Sequence, residues 1–198
     1  MNLKSKKSKN KLSNALLTCM NTTPISDITI KALCEVAEVN RSTFYRHHQS
    51  IEQLTSSLIE DYFHLLFGEP YKFYIKHQSI SESQYYISNN IFSHIHHNTY
   101  FYETMFHYYP QFHLKLKQYI KNRYIAFFED TRLENDMMLS KDVVAEYIAS
   151  AYVGMIQGWI DNHFSETPEE MAYRMIVLNS NGPIRLLTDA EKHKNNIF

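Results

Sequence analysis

The chain has 198 residues, 44% hydrophobic and 21% charged, a length for one compact unit or two small ones and a composition that excludes wholesale disorder. Four glycines and five prolines exclude collagen-like and low-complexity chains and lean towards long helices. The net charge of −1 conceals an asymmetry: residues 1–49 hold eight Lys/Arg against three Asp/Glu, residues 50–198 twelve against eighteen. A small nucleic-acid module joined to an acidic body gives such a balance, and so does a solvated basic tail.

Apolar spacing reads as helix almost throughout. Leu12, Ala15, Leu16, Cys19 and Met20 fall on one face of a first helix, and Asn21-Thr22-Thr23-Pro24 ends it. Ile30, Leu33, Cys34 and Ala37 repeat the pattern over a short second helix, with Thr29 placed to cap it. Asn40 can cap a third through about His47. Ser50 with Gln53 forms a capping box that opens a long fourth helix to about Phe67. Gly68-Glu69-Pro70 breaks it, and residues 71–78 read as a loop or frayed turn.

Ser81 with Gln84 is a second capping-box candidate, for a helix reaching His97. Further helices are expected over Thr99–Tyr109, from about Gln111 to Glu129, and from Ser140 to about Phe164. Thr167-Pro168-Glu169-Glu170 is the clearest start signal, for a last helix ending at Asn181-Gly182-Pro183. No internal repeat and no period-2 strand stands out. The expected fold is all-α, with about nine helices.

Residues 62–124 hold eleven of the fifteen tyrosines. The rings include Tyr85, Tyr86, Tyr100, Tyr102, Tyr108, Tyr109, Phe92, Phe101, Phe106 and Phe112. Such stripes make ordinary core, or line a cavity for a small ligand. His94 and His97 share a helix face with His96 between them, and His107 and His113 follow. The pair could share a metal, but no Cys or clear carboxylate stands at matching spacing, Glu103 being nearest, and no metal or other cofactor is expected. Cys19 and Cys34 are too few for a disulfide scaffold, lie on apolar faces and suit a reducing compartment.

The helix from Ser140 is apolar on more than one face. Val144, Ile148, Ala151, Met155 and Trp159 form one stripe, beside Ala145, Ala149, Tyr152 and Ile156. Gly154 and Gly158 permit close helix approach. With Met171, Ala172, Met175 and Ile176 of the last helix this reads as a self-complementary dimer interface or as a central core helix. The expected interface residues are Val144, Ile148, Ala151, Met155, Gly158, Trp159, Met171 and Met175.

The run Val143–Ile160 is broken by Glu146, Ser150 and Gln157, so no stretch is apolar enough to span a membrane. The segment after the basic N-terminus is too polar for a signal-peptide core. A cytoplasmic location is expected. There is no Gly-rich phosphate loop, nucleophile elbow or paired carboxylate, so no enzyme is expected and no catalytic residue is named.

Two short helices joined by a tight turn and braced by a longer one are the layout of a helix-turn-helix. Exposed positions on the second helix of the pair should then carry hydrogen-bonding groups. Asn40, Arg41, Ser42, Thr43, Tyr45, Arg46 and His47 all do, and Phe44 alone would face inward. The stretches Ile28-Thr29-Ile30-Lys31-Ala32-Leu33 and Val39-Asn40-Arg41-Ser42-Thr43-Phe44-Tyr45-Arg46-His47 resemble the N-terminal DNA-binding domain of TetR-family transcriptional regulators. The resemblance covers about residues 8–66 and is only architectural beyond.

It implies a DNA-binding domain over 1–50, extended to about 66 by the connecting helix, and an effector-binding and dimerisation domain over 67–198. It also implies DNA contacts from Thr29, Lys31, Asn40, Arg41, Ser42, Thr43, Tyr45, Arg46 and His47. Thr29, Tyr45 and His47 would meet phosphates, and Arg41, Thr43 and Arg46 would approach base edges. Lys4, Lys6, Lys7, Lys9 and Lys11 would add flexible, sequence-independent attraction.

The implied protein is a homodimer on a pseudo-palindromic operator, usually a repressor. It would answer to a small molecule in an aromatic-lined C-terminal pocket or, alternatively, to a protein partner. Three positions depart from the family pattern. Glu38 stands where the turn glycine is usual, so the turn must either strain or take a slightly different path. Ile51 replaces a phosphate-touching Lys, and His48 replaces an aromatic.

Overall fold

In this computed structural model, residues 3–182 are described. They form ten α-helices and two short 3-10 turns, with no strand among them. The helices are α1 (Leu3–Met20), α2 (Ile30–Val36), α3 (Arg41–His47), α4 (Ile51–Leu66), α5 (Pro70–His77), α6 (Ile80–His97), α7 (Thr99–Tyr108), α8 (Phe112–Thr131), α9 (Lys141–Asp161) and α10 (Pro168–Asn181). The fold is all-α, as expected, with one helix more than the sequence suggested. Pro183 lies outside the described residues.

The additional helix is α5, where a loop was expected. Pro70 sits at its first turn, where the missing N–H costs nothing, and Gln78 closes it in the left-handed conformation at φ 51°. The proline that stops one helix starts the next. Between them Gly68 has φ +65°, and a Cβ there would lie 2.9 Å from both Asn90 Nδ2 and the Tyr86 hydroxyl. Only glycine fits this link without displacing its neighbours.

Two helix starts differ in detail from expectation. Ser79, not Ser81, caps α6, its Oγ accepting from the Glu82 N–H at 3.2 Å. At α4 the Ser50 Oγ accepts from Gln53 N–H at 3.2 Å, but the Gln53 side chain turns to the N–H of Gln49 and leaves the box unreciprocated. At α10 the box is complete: Glu170 N–H donates to Thr167 Oγ1 at 3.2 Å and Thr167 N–H to the Glu170 carboxylate at 2.7 Å.

The chain divides into two compact units that alternate along the sequence. The first takes the described residues up to 65 together with 98–115, the second 66–97 with the described residues from 116 on. In the first, Leu12, Leu16, Phe44, Leu54, Phe101, Tyr102 and Phe112 are all but inaccessible. Tyr62 lies flat on Phe101 with ring centroids 3.7 Å apart, and Asn21 donates to the Tyr100 hydroxyl at 3.1 Å.

In the second unit α6 packs along α10, and Phe92, Tyr124, Tyr152 and Trp159 fill the interior. Here the Tyr152 hydroxyl lies 2.6 Å from Ser88 Oγ and 3.1 Å from the Tyr124 hydroxyl. Burial holds the Tyr152 phenol at about 12, so the three hydroxyls share neutral hydrogen bonds.

The rings of this stretch differ in burial. Phe92, Phe101, Tyr102, Phe106 and Phe112 are core, Tyr85, Tyr100 and Tyr108 are exposed, and Tyr86 and Tyr109 lie between. No described helix is long and apolar enough to cross a membrane.

Candidate nucleic-acid interface

Helix α2 begins at Thr29, whose hydroxyl accepts from the Ala32 N–H at 3.2 Å, as expected of a cap. It ends in a Schellman turn: Glu38 N–H donates to Glu35 O at 3.1 Å and Val39 N–H to Cys34 O at 3.0 Å. This turn requires a left-handed residue, and Glu38 supplies it at φ 51°. Of the two outcomes open for the missing glycine, the turn keeps its path and Glu38 takes the strain. Its carboxylate takes the Lys11 ammonium at 3.0 Å across the surface.

After the turn the Asn40 carbonyl accepts from Thr43 and Phe44 N–H and opens α3, though the Asn40 side chain makes no capping bond. A seven-residue helix has little stability of its own. Phe44, wholly buried, anchors it. Around that anchor Arg41, Ser42, Tyr45 and Arg46 are exposed, and Thr43 and His47 half-buried. Arg46 donates to Thr43 Oγ1 at 3.3 Å. Asn40, Thr29 and Lys31 are also exposed. An open cleft of ≈ 630 Å³ along α3 is lined by Ser8, Glu35, Glu38, Asn40, Thr43 and Arg46 among others.

The basic N-terminal segment is not the flexible arm expected. From Leu3 it is helical, and two of its lysines are engaged: Lys9 with Asp61 at 2.7 Å and Lys11 with Glu38. Lys6 and Lys7 remain exposed. Ser8 reaches the Nε2 of His47 at 2.8 Å. Sequence reasoning missed these ties, whose partners stand 27 to 52 residues away.

His48 is a buried histidine, 4% exposed, with Nε2 unpaired. Burial, then the charges of His47 and Lys9, depress its pKa, and Asp61 acts the other way. Ile51 is likewise buried.

In the second unit, Ile148, Trp159, Met171 and Met175 are buried in the chain's own core. Val144, Ala151 and Met155 are half-exposed and Gly158 exposed. The outward stripe of α9 runs through Val143, Tyr147, Gly154 and Gly158, and Tyr173 of α10 is exposed too. A Cβ at Gly154 or Gly158 would meet nothing within 4 Å among the described residues. Neither glycine serves packing among the described residues. Beside Gly158 an open cleft of ≈ 270 Å³ is floored by Trp159 and Met171.

His97 Nδ1 pairs with the Ser93 carbonyl at 2.6 Å. The described residues hold no cluster of three or more side chains placed to bind a metal ion.

Residues 82–181, about half of the chain, match the TetR family model for a transcriptional regulator C-terminal region. The chain belongs to the TetR family of transcriptional regulators. The matched stretch lies beyond residues 8–66, where the sequence motif was read.

Several solved structures share this regulator's fold. The dihydroxyacetone kinase operon activator DhaS is 19% identical, with a TM-score of 0.61 over 87% of this chain and 93% of its own. The fatty acid degradation regulator FadR from Bacillus halodurans is 10% identical, with a TM-score of 0.70 over 89% and 96%. NalD, the secondary repressor of the MexAB-OprM multidrug efflux pump in Pseudomonas aeruginosa, is 12% identical, with a TM-score of 0.63 over 90% and 96%. At such identities the likeness is one of fold. No curated protein matches this TetR-family chain.

Proposed function

We propose that this TetR-family regulator is a cytoplasmic, non-enzymatic homodimer that binds a pseudo-palindromic DNA operator through α3 and represses transcription until a small molecule binds its C-terminal part. The observation that carries the reading is α3 itself: one buried phenylalanine fixes a helix whose other side chains are all hydrogen-bonding groups. Arg41, Thr43 and Arg46 have the donors and methyl group for base edges in a major groove. Thr29, Lys31, Tyr45 and His47, with Lys6 and Lys7, are suited to phosphates. Asn40 and Ser42 add polar contacts beside them.

In this reading residues 1–50, extended to about 66, read DNA and 67–198 dimerise and bind the effector. The outward stripe of α9, with its two uncrowded glycines, supports pairing with a second copy. A two-fold pair of recognition helices then matches a two-fold operator.

Selection from random-sequence DNA, followed by gel shift at low salt, tests the proposal. Arg41→Ala should lose about 1–3 kcal/mol at one base position and relax the preference there. Absence of any selected duplex, together with no binding to the protein's own upstream region, would sink it.

One observation favours a second reading, control by a protein partner. The hydroxyls of Ser88, Tyr124 and Tyr152, the polar tips that would greet a ligand, are already joined to one another. Co-purification of a stoichiometric partner, with DNA affinity unmoved by metabolite extracts, would select that reading.

A further inference from the structure

We propose that Ser8 fixes the neutral His47 ring as its Nε2–H tautomer, so that only the protonated ring can hold Ser8 and a DNA phosphate together, and DNA binding takes up a proton at His47. This rests on the reading of α3 as the DNA-binding helix.

The inference follows from a count of hydrogens. A serine hydroxyl has one to give. Ser8 Oγ gives it to the Ser5 carbonyl at 3.0 Å, along its own helix. The same Oγ stands 2.8 Å from His47 Nε2, so at that contact it accepts and the ring donates. A neutral imidazole has a single N–H, and Nδ1 is left as a bare lone pair. That nitrogen makes no hydrogen bond to the described residues.

A phosphate oxygen only accepts, so it is repelled by the neutral ring and bonded by imidazolium, in which both nitrogens donate. His47 is also the last residue of α3, where the helix dipole favours a cation.

Its charged and titratable neighbours in the chain are Arg46 and His48, and Lys9 of α1 and Asp61 of α4, paired at 2.7 Å, act on the adjoining His48. The His47 and His48 rings are 6.2 Å apart. Only His47 keeps an open side, His48 being sealed in the core. The arriving phosphate therefore draws the proton to His47. Ser8 is a positioning residue: it acts on DNA through the ring it orients.

Fluorescence anisotropy with a short duplex selected from random-sequence DNA tests this in the full chain, at fixed ionic strength, from about pH 8 to about pH 6.3. The native protein should tighten several-fold as the pH falls. Ser8→Ala frees Nε2 and lets the neutral ring turn its proton to Nδ1. Its affinity should be nearly flat with pH and, at pH 8, at least equal to the native value. Ser8→Thr should restore the slope, His47→Gln should abolish it, and His48→Phe should leave it.

Ring-nitrogen NMR of the free protein at pH 8 should show the Nε2–H form. PH-independent native binding, a slope that persists in Ser8→Ala or vanishes in His48→Phe, or an Nδ1–H ring would overturn the proposal. A protein that binds no duplex at any pH would instead fail the reading of α3, and the proposal with it.

Discussion

Helices α3 and α9 each turn a face to the surroundings, and they hold it there by opposite means. Helix α3 has seven residues and one buried side chain, Phe44. Helix α9 has twenty-one residues and buries seven of them, from Ala145 to Ile160. The short helix borrows its stability from outside itself: the Schellman turn before it, the pocket that takes Phe44, and the Ser8 contact at its end. The long one is secured along its length by packing. A surface rich in donors can thus sit on an element with almost no intrinsic stability, provided a few anchors carry it. Damage should be abrupt at those anchors and graded along α9.

The largest expected effect is at Phe44. Phe44→Ala should cost about 3–5 kcal/mol in urea unfolding of the first unit and abolish DNA binding with it. A loss under 1 kcal/mol would refute the single-anchor account. In α9 the matching change is smaller: Tyr152→Phe leaves the ring in place but removes the hydroxyl shared by Ser88 and Tyr124, at about 1–3 kcal/mol. If it cost as much as Phe44→Ala, α9 would not be the graded element described.

Glu38→Gly should go the other way. Relief of the left-handed strain is worth about 1–2 kcal/mol, offset in part by loss of an exposed ion pair with Lys11 worth under about 1 kcal/mol. A rise in melting temperature of the first unit checks it, and a fall would mean that the ion pair outweighs the strain.

His48→Phe has the smallest effect at neutral pH, an exchange of one buried ring for another. Its consequence lies in acid. The folded-state pKa of His48 lies below the ordinary value of about 6.5. Its neutral form is therefore the folded one, and stability is whole above that value and falls as the pH drops towards the lower folded-state pKa. Thermal melts from pH 7.5 to 5 should show this loss in the native protein and less of it in His48→Phe. An equal acid loss in both would remove His48 from the account.

Legibility in the sequence followed the range of the interactions. The cap of α10 could be read because Thr167 and Glu170 satisfy each other three residues apart. That Glu38 must either strain or reroute its turn was legible because such a turn demands a left-handed residue whatever surrounds it. Helix α5 is not legible because a proline after Gly-Glu signals a stop as readily as a start. The lysines of α1 read as a loose arm because nothing near them in sequence shows that Asp61 and Glu38 will be waiting. On α9 the apolar pattern covers two faces. Spacing alone could not separate Trp159, which faces in, from Tyr147, which faces out.

The glycines at 68, 154 and 158 look alike in the sequence, and mutational tolerance would tell them apart. In a saturation library sorted only for folded protein, position 68 should favour glycine, because its backbone is left-handed and the Asn90 and Tyr86 side chains would have to shift for a Cβ. Positions 154 and 158 should accept substitutions freely in that sort. If the same library were sorted again for regulation in living cells and those two columns then emptied, the space beside them would be reserved for another molecule.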